Sequence, residues 1–303
     1  MAIPTSRTKS NGVITISTDK CIGCGECVQV CYGFNLQIVN KKCAPTNNSF
    51  FGCIGCGHCM AICPVDAIKV EGRGISPNDL FNVLDNQISY NSLLTTLQSR
   101  RSIREFTDEP VSTEIVEKIV DAARTAPMGI PPSEVHLLVL HGREKVNTFT
   151  AAYCEYLKSI RWMVSPWFLT IMRPVWGKKN DELFRNFVKP LINNYINFMN
   201  SGQNLVTYDA PLAIYFYGSP YCDPADPVIA ATYAMIAGES LGLGTCMLGA
   251  IHPMLQNGPK AASFRKQHGI RYRSRKGLFV VFGTPVKKFR KAIKRSFASV
   301  DYY

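Results

Sequence analysis

Eight of the twelve cysteines fall into two near-identical runs, Cys21-Ile-Gly-Cys24-Gly-Glu-Cys27-x3-Cys31 and Cys53-Ile-Gly-Cys56-Gly-His-Cys59-x3-Cys63-Pro64. No other feature constrains the fold as tightly. The spacing C-x2-C-x2-C-x3-C is an iron–sulfur ligand pattern, and here it occurs twice. A cubane cluster needs four converging thiolates, and three cysteines two residues apart can wrap one side of it from a tight loop. The glycines at 23, 25, 55 and 57 let such a loop curl without Cβ clashes and bring N–H groups toward the sulfurs.

Zinc sites use one or two C-x2-C pairs rather than three cysteines in succession with a fourth at x3. A disulfide frame suits a secreted mini-domain, and no leader features precede these cysteines. Residues 1–72 therefore resemble a bacterial-type two-cluster ferredoxin. In that pattern the fourth ligand comes from the other run. The resemblance places one [4Fe-4S] cluster on Cys21, Cys24, Cys27 and Cys63, and the other on Cys53, Cys56, Cys59 and Cys31. It departs at Tyr32, which follows Cys31 where a proline is usual. His58 is a solvated loop residue or a tuner of the second cluster. Cys43 fits neither run, and Cys154, Cys222 and Cys246 are isolated, as buried or idle thiols are.

A length of 303 residues suggests two domains, and 46% hydrophobic residues indicate a globular chain. Abundant thiols fit a reducing, anoxic cytoplasm, and the N-terminus has no signal-peptide organisation. The net charge is +12, and residues 260–303 hold 13 Lys/Arg against the single acidic Asp301. No nucleic-acid motif accompanies this basic tail, so no nucleic-acid partner is expected. The tail is a solvated face or a dock for an acidic electron-donor protein. Met163 to Trp176 is the most membrane-like stretch, but Pro166, Arg173 and Pro174 interrupt it and it is too short to span. No integral membrane segment is expected.

Glu71-Gly72-Arg73-Gly74 reads as a linker, with residues 73–90 leading into a second domain at 91–303. Ser76-Pro77 signals a helix start, which the leucines at 80, 84, 93, 94 and 97 extend across an interruption near Ser89–Asn91. That helix leads into Arg100-Arg101-Ser102-Ile103-Arg104, a cradle suited to phosphate. Residues 112–125 read as an amphipathic helix. Val135–Leu140, Pro211–Tyr217 and Leu278–Phe282 read as strands. A helical, aromatic-rich insertion spans about 150–205. An Ala/Gly-rich helix covers 226–243, and Gly242–Gly249 continues as a loop.

Taken in order, Arg-Arg-Ser-Ile-Arg-Glu-Phe (100–106), Ala-Arg-x-Ala-Pro (123–127), Leu-Gly-Leu-Gly-Thr-Cys-x-Leu-Gly (241–249) and Phe-Gly-Thr-Pro (282–285) resemble a flavin-dependent nitroreductase over about residues 90–295. With the N-terminal cysteines, the whole chain is similar to the ferredoxin–nitroreductase fusions of anaerobes. The resemblance implies an α+β fold: a central mixed, mainly antiparallel sheet with helices, preceded by the small ferredoxin-like domain. It also implies a homodimer with FMN at the subunit interface. Arg100, Arg101, Ser102 and Arg104 would hold the FMN phosphate, ribityl chain and ring edge. Met247, Leu248 and Gly249 would lie along the isoalloxazine, and Lys288 and Lys291 match basic positions that reach the phosphate. One position departs. The asparagine that meets the flavin pyrimidine in many relatives aligns with Pro131, leaving backbone groups at Met128 and Gly129 to substitute.

The expected function is that of an FMN-dependent oxidoreductase fed through its own clusters. An external low-potential donor such as a ferredoxin would supply electrons, and a small conjugated acceptor, a nitroaromatic or quinone, would receive them. No G-x-G-x-x-G fingerprint follows a strand, which favours a ferredoxin-like donor over NAD(P)H. Tyr153, Tyr156, Trp162, Trp167, Phe168, Trp176, Phe184 and Phe187 form an aromatic lid over the flavin, ordinary core or a dimer interface. Tyr153, Tyr195, His252 and solvent are candidate proton donors. The alternatives are a module passing electrons from flavin to a partner protein, and a cluster-based redox sensor.

Overall fold

The computed structural model describes residues 10–46, 48–49, 52–84 and 88–303. Residues 1–9, read above for leader features, and 85–87, within the expected first helix, lie outside the described residues. The chain divides into two units. The first comprises Met1–Gln87 with Met128–Glu134 and Tyr221–Asp226; the second comprises Ile88–Pro127, Val135–Pro220 and Pro227–Tyr303.

The first unit has two antiparallel pairs. β1 (Val13–Ile16) pairs with β4 (Ile68–Glu71), and β2 (Leu36–Val39) with β3 (Lys42–Pro45). Each cysteine run ends its loop in one helical turn, α1 (Glu26–Gln29) or α2 (His58–Ala61). The glycine before each turn is left-handed, Gly25 at φ 83° and Gly57 at φ 78°. This backbone is cheap for glycine and strained for other residues. The core is small: Leu36, Met60, Ala67, Ile68 and Val70 pack around the cysteines. An apolar nucleus this thin leaves much of the stability to whatever the thiols hold.

The expected helix from Ser76-Pro77 stops early. Ser76 closes a capping box with Asp79, but only Pro77–Asp79 turns, as a 3-10 helix. Leu80 to Leu84 are exposed and non-helical, since a cap cannot sustain a helix that has no apolar face to bury. The helix proper, α3 (Tyr90–Ser99), starts afresh at the N-cap Ser89, whose Oγ accepts from Ser92 N at 3.2 Å.

The second unit is built on a four-stranded antiparallel sheet of order β5-β6-β8-β7: β5 (Val135–His141), β6 (Leu212–Gly218), β8 (Gly277–Gly283) and β7 (Gly244–Leu248). The parallel component is a bridge from Ser102 to Thr245. All seven residues of β6 are buried, because helices cover both faces of the sheet. Strand periodicity sorts the side chains. Ala213, Tyr215, Tyr217, Phe279 and Val281 join one core with Phe149, Leu157, Ile192 and Phe264. Leu212, Ile214, Phe216, Val280 and Phe282 join the other with Ile119, Ala231 and Ala234. The first core packs α5 (Arg143–Ile160), α7 (Lys189–Asn200) and α9 (Pro259–Gln267); the second packs α4 (Thr113–Arg124) and α8 (Asp226–Ser240). The expected amphipathic helix at 112–125 is α4, capped by Ser112.

Two expectations need correction. Gly244–Leu248 is a strand rather than a loop, paired with β8 from Gly244↔Gly283 to Leu248↔Phe279. Its alternation puts Cys246 and Leu248 into the core and leaves Met247 exposed. The helical insertion begins at Arg143 rather than near 150. It runs through α5, a 3-10 turn at Arg161–Val164, α6 (Pro166–Leu183), a π turn at Phe184–Val188, and α7. Within α6, Gly177 leaves helical geometry at φ 79°. Among the described residues no helix is long and apolar enough to cross a membrane.

Candidate functional site

The eight cysteines of the two runs line two separate cavities, and each cavity draws on both runs. One is lined by Cys21, Cys24, Cys27 and Cys63, together with Cys43. The other is lined by Cys31, Cys53, Cys56 and Cys59. The exchange of Cys31 and Cys63 follows from the helical turns after each loop, which carry the fourth cysteine away from its own run. Backbone N–H groups point at the sulfurs: Cys43 N donates to Cys21 Sγ at 3.3 Å, Ala67 N to Cys63 Sγ at 3.2 Å and Asn35 N to Cys31 Sγ at 3.4 Å. Burial pushes the Cys59 thiol up to about 12, and Cys53, Cys56 and Cys31 add to the shift. Iron binding relieves that cost, since metals take cysteine as thiolate. Among the described residues no three His, Cys, Asp or Glu side chains form a single-ion site. The donor set fits a cluster, with four sulfurs from the two runs and directed N–H groups around each cavity.

The arginine cradle leaves α3 at its C-terminus, where Arg100 is the C-cap. The chain then runs beside β7: Ser102 bridges Thr245, and Ile103 N donates to Thr245 O at 2.9 Å. Arg101 Nη1 donates to the carbonyls of Gln98 and Arg100, and its Nη2 to Lys291 O at 3.4 Å. Arg100 Nη1 and Arg101 Nε are buried with no hydrogen-bond partner among the described residues. Unsatisfied guanidinium nitrogens are costly, and a phosphate would satisfy them. Glu239 of α8 sits beside them. Burial raises its pKa while Arg100 and then Thr245 counter the shift, and Thr245 Oγ1 donates to Glu239 Oε1 at 3.4 Å. Arg104 lies 5.8 Å over the Tyr208 ring. This cradle fits an anionic cofactor such as FMN.

The other expected contacts distribute unevenly. Met247 is exposed, Leu248 is buried, and Gly249 is exposed at the end of β7. Lys291 meets the cradle through its carbonyl, while Lys288 is exposed. Met128 and Gly129 fall in the first unit, where Gly129 N donates to Asp226 Oδ1 at 3.1 Å. That donor is committed, and Pro131 contributes its carbonyl to Arg73 Nη2 at 3.4 Å.

The aromatic insertion is both core and surface. Tyr153 and Tyr156 are buried around Phe264. Trp162, Trp167 and Phe187 are exposed, Phe168 meets Trp162 and Trp167 edge-on, and Trp176 stacks on Phe184 at 4.8 Å. Of the proton-donor candidates, Tyr153 is fully buried and its pKa lies well above the ordinary value. Burial pushes Tyr195 up to about 12. His252 is buried with Nδ1 2.8 Å from Tyr215 Oη, and burial lowers its pKa to about 4. It is therefore a neutral core histidine. Sequence reasoning missed Cys43 as a cavity residue and Glu239 beside the cradle. The signal for Glu239 was an acid near the C-terminal end of an otherwise apolar and small-residue helix.

Residues 13–35 and 52–69 each match a 4Fe-4S binding domain, and residues 97–284 match the Nitroreductase family. An NADH dehydrogenase/NAD(P)H nitroreductase of Methanothermobacter thermautotrophicus is 34% identical over 64 residues, 21% of this chain and 34% of its own length. An FMN reductase [NAD(P)H] of Bacillus subtilis is 27% identical over 165 residues, 53% of this chain and 55% of its own length. The chain thus spans about a third and about half of these two curated relatives. Two solved nitroreductases with bound FMN share the fold. The Bacteroides fragilis protein has 16% identity, a TM-score of 0.52 and coverage of 70% of this chain and 98% of its own. The Desulfitobacterium hafniense protein has 21% identity, a TM-score of 0.50 and coverage of 71% and 100%. The family match covers more than half of the sequence, and the chain belongs to the nitroreductase family, with 4Fe-4S binding domains preceding the family region.

Proposed function

We propose that this protein is an FMN-dependent oxidoreductase that takes electrons through two in-chain [4Fe-4S] clusters and reduces a conjugated organic acceptor such as a nitroaromatic or quinone. The observation that carries this reading is the crossed division of eight cysteines between two cavities. Cys21, Cys24, Cys27 and Cys63 would hold one cluster, and Cys31, Cys53, Cys56 and Cys59 the other. The N–H groups of Cys43, Ala67 and Asn35 steady the sulfurs and favour the reduced charge.

Arg100 and Arg101 would hold the FMN phosphate with the nitrogens that lack partners among the described residues, and Ser102 and Arg104 the ribityl chain and ring edge. Met247, Leu248 and Gly249 would border the ring. Lys291 supports Arg101 through its carbonyl, and Lys288 adds positive charge. Bound FMN supplies what the side chains lack: it accepts electrons singly and delivers them in pairs as hydride. A planar acceptor suits the exposed aromatics of the insertion.

The exposed lysines and arginines of the tail suit an acidic external donor such as a low-potential ferredoxin. The same segment supports a homodimer. None of the α3 side chains is buried, and Tyr90, Leu97, Phe289, Ile293 and Phe297 are exposed. A second copy would cover this apolar surface. Anaerobic iron, sulfide and flavin analysis tests the cofactors, with about eight iron and about one FMN expected per chain. Half that iron, or no flavin, would overturn the reading. Turnover of small acceptors under reduced ferredoxin tests the activity, and failure with every acceptor would sink it.

A further inference from the structure

Cys43 belongs to neither cysteine run, yet it faces the first cavity. It sits on β3 opposite Ile38, is 5% exposed, and lines the cavity with Cys21, Cys24, Cys27 and Cys63. Its sulfur lies 3.5 Å from Cys27 Sγ, and its backbone N–H donates to Cys21 Sγ at 3.3 Å. It therefore touches two of the four proposed ligands. Lys42, its neighbour, donates to Cys21 O, so β3 is tied to the first cysteine loop from both residues. Cys31, Cys53, Cys56 and Cys59 line the second cavity with no fifth cysteine among the described residues. Two nearly identical runs are thus set in unequal surroundings.

We propose that Cys43 is a positioning residue for the first cluster, an unligated thiol that donates its S–H to the Cys27 sulfur and raises that cluster's reduction potential. The proposal rests on the cluster reading above. The run spacing together with Cys63 already supplies one thiolate for each of the four irons. That leaves Cys43 without a coordination position. Two thiolate sulfurs at 3.5 Å would repel in a buried site, whereas a proton between them converts the contact into a hydrogen bond. Burial keeps water from competing for the donor. Reduction adds one negative charge, shared over the irons and sulfurs. A donor aimed at a ligand sulfur stabilises the reduced form more than the oxidised form, and hydrogen bonds to sulfur are among the factors that set cluster potentials. The backbone N–H of Cys43 acts in the same sense at Cys21, so this one residue adjusts the cluster from two directions.

The test compares full-length wild type, Cys43→Ala and Cys43→Ser, purified anaerobically with their clusters. Iron and sulfide are measured first, then midpoint potentials by redox titration followed by electron paramagnetic resonance. All three proteins should hold the same iron. In Cys43→Ala one potential should move lower and the other stay in place. Cys43→Ser keeps an O–H donor and should restore most of the shift. Full iron with both potentials unchanged in Cys43→Ala would show an idle thiol and overturn the proposal. Loss of half the iron in Cys43→Ala would make Cys43 a ligand and overturn it too. A wild-type protein without cluster iron would instead overturn the cluster reading on which the proposal stands.

Discussion

Ile103 lies directly on Gly244: a Cβ placed on the glycine would sit 2.5 Å from Ile103 Cγ1 and 2.8 Å from Ile103 Cβ. The residue between the cradle's serine and its last arginine is thus seated on the first residue of β7. That approach lets Ile103 N reach Thr245 O and places Arg100, Arg101 and Ser102 beside Glu239 and Thr245. Gly244→Ala should push the cradle off the strand, costing about 1–3 kcal/mol from overpacking and weakening FMN binding. Thermal unfolding and flavin-fluorescence titration would show both effects. A variant with wild-type flavin affinity would contradict the role of this contact.

Arg100→Gln and Arg101→Gln each remove a charged donor from the orphaned pair. A hydrogen bond to a charged group contributes about 1.5–3 kcal/mol, so each change should weaken FMN binding by on the order of ten- to a hundred-fold. Glu239→Gln removes the acid beside them and should tighten binding. Equilibrium dialysis of FMN against the deflavinated proteins measures all three. Equal affinity in the arginine variants would remove the phosphate from this cradle.

The crossed ligand sets predict an unusual pattern of losses. Cys63→Ala should remove the same cluster as Cys21→Ala although the two lie in different runs, leaving about half the iron. The double variant Cys21→Ala/Cys63→Ala should lose no more than either alone. Cys21→Ala/Cys31→Ala should lose both clusters. Iron analysis with electron paramagnetic resonance distinguishes these cases, and additive losses within the first pair would refute the crossed assignment.

His252 makes stability depend on acidity. Unfolded, the imidazole titrates near 6.5; folded, burial keeps it neutral down to about 4. Between those values the unfolded chain binds more protons, so the contribution is complete above pH 6.5 and is lost as pH falls toward 4. The loss is on the order of 3 kcal/mol. His136 and His268, also lowered chiefly by burial, act in the same direction. His252→Gln should flatten the fall in thermal midpoint from pH 6.5 to 4 relative to wild type, since cluster loss affects both proteins alike. Parallel curves would show that His252 is not the group responsible.

Much of the site was legible because its signals are local. Cysteine spacing and loop glycines specify the iron–sulfur loops through covalent geometry over a few residues. The apolar runs at Pro211–Tyr217 and Leu278–Phe282 read as strands for the same reason, and the strands that form are Leu212–Gly218 and Gly277–Gly283. Where expectation failed, the deciding partner was distant. Gly244–Leu248 has too little pattern to show as a strand and becomes one by pairing with β8. The helix expected after Ser76 had its cap but no surface to pack on.

The sequence alone determined the eight cysteines of the iron–sulfur pattern, the arginine cluster and the order of elements, because these depend on residue identity and near-neighbour geometry. Only the tertiary structure decided what each meets. It brought Cys43 from a strand to the Cys27 sulfur. It left Arg100 Nη1 and Arg101 Nε buried without partners among the described residues, and withdrew His252 into the core beside Tyr215. Each of these depends on contacts between residues far apart in the chain. Such contacts form when packing and the satisfaction of buried polar groups select one arrangement, and no local pattern records them.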